Sequence, residues 1–169
     1  MPDVHGSPDS EEFWRFSLAF YAYPDTAEAL IALQDHEALD VNLILFGLWL
    51  GLSGRGRLTD AGLAVAEAAV SKIRREITEP LRLIRRRLRG NPDPGVQGLR
   101  ERIKEIELEG ERLAQSRLGR LAGGRENEIP GAARQAIALA NLELYLGSER
   151  APSLEAEKIR KAVRAFAPG

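Results

Sequence analysis

DVNLILFGLWLGL, residues 40–52, is the stretch of the sequence that decides the fold. Its apolar side chains surround the whole circumference of a helix, which is typical of a helix in the centre of a protein. A helix over 41–52 would be about 18 Å long, whereas roughly 20 residues are needed to cross a bilayer. We therefore predict a central apolar helix and no membrane span. Gly47 and Gly51 lie on one face of it and predict the close approach of another helix.

Helical periodicity extends outward from this stretch, because apolar residues recur every three or four positions and no alternating strand pattern occurs. An apolar stripe over 60–89 continues in phase across Pro80, which predicts one kinked helix or two nearly coaxial ones. A second stripe over 96–118 follows the breaker at residues 90–95 and completes a long helical hairpin. The predicted fold class is all-α, an irregular bundle of about seven helices.

Specific residues are expected to fix details of these helices. The second helix of the hairpin is predicted to pack on the first through Val96, Leu99, Ile103, Ile106, Gly110 and Leu113. Asp9 is predicted to be the N-cap of the first helix, in a capping box with Glu12. The other predicted N-caps are Asp25, Asp40, and either Thr59 or Asp60.

Composition limits the class of protein. The chain has 169 residues, 44% hydrophobic and 29% charged, which suits one folded domain; we predict a disordered tail over 1–9 and a single helical domain over 10–169. There is no cysteine, so disulfides and thiolate sites are excluded. Residues 1–12 lack the basic-then-apolar order of a secretory signal. We expect a cytoplasmic protein.

Charge is unevenly distributed although the net charge is only −1. Residues 1–40 hold nine acids and one arginine, whereas residues 72–89 hold eight bases and two acids. The basic residues could bind the phosphates of nucleic acid, pair with the acidic N-terminal third, or remain solvated. Nucleic acid is the weaker expectation, because no stacking aromatic accompanies them and the pI is about 6.2. The candidate anion-binding residues are Arg74, Arg75, Arg82, Arg85, Arg86 and Arg89.

A polar cluster lies between two predicted helices, and consists of Gln34, Asp35, His36, Asp40 and Asn42. Carboxylate and imidazole groups could perform acid–base chemistry, so an enzyme using Asp35, His36 and Asp40 is one alternative. We prefer a buried hydrogen-bond network, in which Asn42 binds Asp35, Gln34 or a backbone carbonyl. Since the only histidines are His5 and His36, no metal site and no cofactor is predicted.

Aromatic residues are concentrated near the N-terminus. Most of them are expected in the core, but Trp14, Tyr21 and Tyr23 are candidates for binding a protein partner.

A resemblance adds to this interpretation. It is carried by Phe13-Trp14-Arg15-Phe16-Ser17-Leu18, Tyr21, Pro24, Leu33-Gln34-Asp35, Asp40 to Phe46 and Trp49-Leu50. Over about residues 13–60 these resemble the N-terminal signature of a family of small proteobacterial helical proteins with a domain of unknown function. The resemblance implies a bacterial, cytoplasmic helical protein and no particular activity. With no catalytic constellation, we expect a non-catalytic protein-interaction or regulatory module with a protein partner; the sequence does not indicate an oligomeric state.

Overall fold

The computed structural model describes residues 7–124 and 129–166, and within them it contains helices and no strand. The first six residues of the predicted tail lie outside this part of the chain, and the division into tail and single domain stays a prediction. The α-helices are α1 (Pro8–Tyr21), α2 (Thr26–Glu37), α3 (Val41–Leu52), α4 (Asp60–Ile73), α5 (Glu79–Arg87), α6 (Pro94–Gly119), α7 (Gly131–Arg150) and α8 (Leu154–Ala165).

The all-α prediction is confirmed. A π-helical turn, Arg74–Thr78, joins α4 to α5 without a break, so the described residues form seven helical rods. None of these helices is both long and apolar enough to span a bilayer.

Helix α3 is central, as predicted. Every residue from Asn42 to Leu52 is buried, because neighbouring helices cover all of its sides. Helix α7 crosses α3 at its two glycines, where a β-carbon on Gly51 would lie 2.3 Å from the backbone nitrogen of Ala138. The expected packing role of the glycines is therefore confirmed.

The aromatic face of α1 packs on α3. Phe13 lies buried between Trp49, whose ring it stacks on at 5.0 Å, and Phe46, whose ring it meets edge-on at 5.7 Å. Farther along α1, Phe20 meets Phe166, which follows α8, at 5.4 Å. Helix α1 is thus held by the central helix α3 and by the C-terminal end of the described chain.

Three of the four predicted N-cap positions are correct and one is wrong. Asp40 and Thr59 accept hydrogen bonds from their own helices, as expected of N-caps. Helix α1 begins at Pro8 with Ser7 as its cap, because proline suits the first helical position, and Asp9 instead pairs with Arg55. Asp25 occupies the N-cap position of α2, as predicted, but its side chain makes no capping hydrogen bond, and its φ of 65° is left-handed rather than extended as is usual at an N-cap.

The hairpin of α4–α5 and α6 is confirmed and is antiparallel, because contacts between its helices join early residues of one to late residues of the other. Arg82 pairs with Glu107, and a β-carbon on Gly110 would lie 2.8 Å from the Thr78 side chain. The chain remains helical through Pro80. The wider turn just before it accommodates a residue that lacks an N–H and crowds the preceding turn.

Candidate functional site

The polar cluster and the arginine-rich helix, which are distant in sequence, line one cleft of about 320 Å³. The corner between α2 and α3 supplies its polar wall on one side, and the hairpin supplies the other. The floor is apolar. The polar residues that line it include Asp35, Asp40, Asn42, Arg74, Arg82 and Arg86, and the floor consists of Leu39, Val70 and Ala114.

Not all of the predicted site residues reach this cleft. Gln34 lines it, but His36 is exposed in the last turn of α2 and does not. Arg75 and Arg89 are exposed outside it and have no ion-pair partner among the described residues. Arg85 lies beside the cleft and pairs with Glu107. The structure therefore separates His36 from the two carboxylates with which it was grouped.

Asp40 is fixed at the corner by two hydrogen bonds. Its Oδ1 accepts from the backbone N–H of Asn42 at 2.9 Å, and its own N–H donates to the hydroxyl of Tyr145 at 2.9 Å. Burial raises the pKa of the Asp40 carboxyl above its ordinary value, opposed by the Asn42 hydrogen bond and the charge of Arg74. Burial likewise raises the pKa of Tyr145 to about 12. The corner thus holds a carboxyl group in surroundings that disfavour its charge.

Asn42 takes part in a buried network, but the partners predicted for it are wrong. Its amide nitrogen donates to Glu111, and its amide oxygen accepts from Gln115 at 3.0 Å. Both partners belong to α6, which packs against α3 at this level. The network therefore ties the start of the central helix to the hairpin rather than to α2.

Arginine–carboxylate pairs connect the two helices of the hairpin. Arg82 donates to Glu107 at 2.9 Å and to Glu111 at 2.6 Å, and Arg85 donates to Glu107 at 2.5 Å. The hydrogen bond that Arg85 donates to Glu107 raises the pKa of Arg85, and burial raises the pKa of Glu111. Two acids at i and i+4 on α6 thus neutralise two arginines of α5.

Internal pairing also reaches the acidic N-terminal third. Arg86 pairs with Asp35, and Arg74 approaches Asp40 at 3.8 Å. These two contacts agree with one of the three alternatives for the basic residues, namely that they pair with the acidic N-terminal third of the chain. Its main acids, however, are Glu107 and Glu111, which the sequence interpretation did not single out. Applying the hairpin register, which brings residue 82 opposite residue 107, would have identified them.

The aromatic candidates for partner binding are half-buried and contact their own chain. The guanidinium of Arg112 lies 5.5 Å from the Trp14 ring, and Tyr23 meets Phe166 at 6.0 Å. Burial raises the pKa of Tyr21. The charge of Arg82 in the polar network opposes this rise, and the charge of Glu111 adds to it. Each of the three rings therefore has intramolecular neighbours.

An uncovered aliphatic stripe runs along the hairpin, although its residues on α6 were expected to be buried against the first helix. The stripe consists of Ile77, Ile84, Leu99, Ile106 and Leu113, whose exposed fractions range from 38% to 50%. Its members are seven residues apart within each helix, so they lie on one face. Helix α5 has no buried residue, and α6 has none before Glu107, so the bundle does not cover this part of the hairpin.

Among the described residues, no group of three or more histidine, cysteine, aspartate or glutamate side chains could hold a metal ion. The cleft is instead built from carboxylates, guanidinium groups and amides, which can bind a polar molecule by hydrogen bonds.

These features define a class of all-α protein with an arginine–carboxylate network on one side of a helical hairpin and an uncovered aliphatic stripe on the other. The chain belongs to the family described as "Protein of unknown function (DUF2390)", which matches residues 12–118. That range contains every residue lining the cleft and all five residues of the stripe. No curated protein and no solved structure matches the chain.

The buried carboxyl of Asp40 gives a testable pH dependence. Its raised pKa means that the folded state binds this proton more tightly than the unfolded state, so the contribution to stability is present below the ordinary value of 3.8 and is lost as pH rises. Asp40→Asn keeps an N-cap oxygen and removes this loss. We expect the stability of the variant relative to the natural protein to increase between about pH 4 and pH 7. Urea unfolding at several pH values measures it.

Asp93→Asn is the matched control, because Asp93 caps α6 through an equivalent bond to the N–H of Gly95 but is exposed. A stability difference for Asp40→Asn that is constant over this pH range, or decreases, would contradict the assignment.

Proposed function

We propose that the chain is a non-catalytic protein-interaction module whose hairpin binds an amphipathic helix of a partner protein. The observation that carries this proposal is the uncovered stripe, because folded proteins rarely leave several aligned large aliphatic side chains exposed unless they contact something. The spacing of seven residues suits a helix laid lengthwise along the hairpin.

The border of the stripe also resembles that of an interface. Ile84, Leu99 and Ile106 are each followed three residues later by an exposed charged side chain, namely Arg87, Arg102 and Glu109. An apolar centre with a charged rim is the usual anatomy of a protein–protein contact. Because the rim carries both signs, the partner helix is expected to carry both signs beside its apolar positions.

The two alternatives have less support. Three of the six candidate arginines, Arg82, Arg85 and Arg86, already donate hydrogen bonds to carboxylates, which makes them less available to the phosphates of nucleic acid. An enzyme using Asp35, His36 and Asp40 would need the imidazole in the cleft, and His36 is exposed outside it. We also propose a bacterial cytoplasmic setting, on the resemblance and on the absence of cysteine.

The test uses the double variant Ile84→Glu/Ile106→Glu, with Leu108→Glu as the matched control. Leu108 is 54% exposed on α6, the helix that carries Ile106, but lies on another face of that helix. We expect affinity capture from a lysate of the source organism to retain a discrete protein at high salt with the natural protein and the control, and to lose it with the double variant. A photo-crosslinking residue at position 84, but not at position 108, is expected to crosslink to a helix of that protein.

Equal capture by the double variant would contradict the proposal. Salt-labile nucleic acid in place of a protein, detected by the ratio of absorbance at 260 and 280 nm, would favour the arginine-rich helix.

A further inference from the structure

The cleft between the α2–α3 corner and the hairpin has the form of a small-molecule site, independently of the stripe on the opposite side. Its volume of about 320 Å³ lies at the small end of the usual range for ligand pockets. An apolar floor and a few convergent polar groups, as here, are the common composition of such pockets. Its polar groups differ in whether they remain available to a ligand.

The arginines that line the cleft differ in how far their donors are used. Arg82 makes close hydrogen bonds to two carboxylates, and Arg86 makes one to Asp35. Among the described residues, Arg74 makes only two longer ionic contacts, from a terminal nitrogen to Asp40 at 3.8 Å and from Nε to Glu79 at 3.5 Å. Its Nε is buried and donates no hydrogen bond within the described part of the chain. Arg74 therefore retains donors for an incoming acceptor.

Asp40 has a matching free acceptor. Its Oδ1 is occupied by the N–H of Asn42, whereas its Oδ2 is 3.8 Å from the guanidinium of Arg74, beyond hydrogen-bond distance. The Asp40 side chain is 5% exposed and that of Arg74 is 33% exposed, so at this separation the buried carboxyl is poorly compensated unless another group lies beside the two. The guanidinium of Arg74 and Oδ2 of Asp40 thus face the same cleft, and neither has a close hydrogen-bond partner there among the described residues.

The backbone supports this placement. Arg74 and Thr78, the first and last residues of the π-helical turn, both line the cleft. Turns of this kind are rare and occur frequently at functional sites. The neighbouring Pro80 accounts for an irregularity in this helix, and Arg74, the first residue of the irregular turn, lies 3.8 Å from Asp40.

We propose that the cleft binds a small oxyanion with an adjacent hydrogen-bond donor, such as a 2-hydroxy acid or a phosphate carrying a proton. The carboxylate or phosphate oxygens accept from Arg74, and the neighbouring hydroxyl donates to Oδ2 of Asp40. The ligand thereby lies beside the pair and bridges the guanidinium of Arg74 and the carboxyl of Asp40.

Glycolate, acetate and inorganic phosphate are the probes. The readouts in ¹H–¹⁵N spectra are the Nε–H resonance of Arg74 and, for all variants including Arg74→Gln, the backbone amide of Thr78, which also lines the cleft. We expect saturable binding of glycolate or phosphate with a Kd of about 1 mM or tighter. Glycolate in preference to phosphate identifies a carboxylate ligand, and the reverse order a phosphate. Acetate, which lacks the donor, is expected to bind more weakly than glycolate.

Arg74→Gln is expected to weaken binding roughly tenfold or more, because charge-assisted hydrogen bonds are lost. Arg75→Gln is the matched control, since Arg75 is the exposed neighbour outside the cleft. Leu83→Trp fills the cleft from its exposed rim without removing a charge, and is also expected to weaken binding. Spectra that otherwise superimpose will show that each variant is folded.

No saturable shift with either probe would overturn the proposal and leave only water bridging Arg74 and Asp40. Equal weakening by Arg74→Gln and Arg75→Gln would also overturn it, because binding would then reflect general electrostatic attraction. Acetate binding as tightly as glycolate would remove the role of Asp40.

Discussion

Gly51→Ala is expected to lower the free energy of unfolding by about 3 kcal/mol or more. The added β-carbon would lie 2.3 Å from the nitrogen and 2.4 Å from the Cα of Ala138. Because these are backbone atoms, no side-chain rotation relieves the overlap, and α3 and α7 must separate. The separation disturbs the closest helix contact of the core, which outweighs the gain of about 1 kcal/mol in helix propensity. Chemical denaturation measures the loss.

Gly98→Ala provides the control with the opposite sign. Gly98 is also within a helix, but a β-carbon there meets nothing within 4 Å. The same substitution is expected to stabilise the protein by up to about 1 kcal/mol. A similar change in both variants would show that propensity, rather than the contact with Ala138, determines the effect.

Asn141→Leu is expected to cost about 3 kcal/mol, because it removes hydrogen bonds to three backbone groups at once. The Asn141 amide donates to the carbonyls of Gly47 and Gly56, and its oxygen accepts from the N–H of Leu58 at 2.7 Å. The N–H of Leu58 would be left buried without a partner. Besides lower global stability, hydrogen exchange should show faster exchange of the Leu58 amide, since the segment before α4 loses its attachment.

Asn91→Ala tests whether burial is the cause of the large loss of stability expected for Asn141→Leu. Asn91 also accepts a backbone hydrogen bond, from the N–H of Asp93 at 2.9 Å, but it is exposed. We expect a loss below about 1 kcal/mol, because water replaces the amide oxygen. A loss as large as that of Asn141→Leu would contradict the argument from burial.

The polar residues of the cleft show what sequence analysis can identify and what it omits. Asn42 was recognised as requiring a partner because it interrupts an apolar helix, but Glu111 and Gln115 lie about seventy residues away. Asn141 interrupts the apolar run of α7 in the same way and was not singled out. Its role depends on the backbone of a distant loop, which periodicity does not indicate.

The hairpin stripe was assigned to the wrong environment for a related reason. The pattern of Leu99, Ile106 and Leu113 identifies one face of a helix, and this part was correct. Two helices in contact cover only part of each other's apolar faces, and no third helix in the described part of the chain covers the remainder. Spacing gives the direction of a side chain around its own helix, whereas burial depends on what lies beyond it.

The sequence by itself determined the all-α class, the buried helix over 41–52 and the hairpin, because each depends on periodicity and on turn residues within one segment. Only the tertiary structure decided that the 34–42 cluster and the arginine-rich helix line one cleft, and that Glu107 and Glu111 neutralise Arg82 and Arg85. These contacts depend on the register and crossing of helices distant in sequence. That arrangement minimises the free energy of the whole core and is not encoded in any one segment.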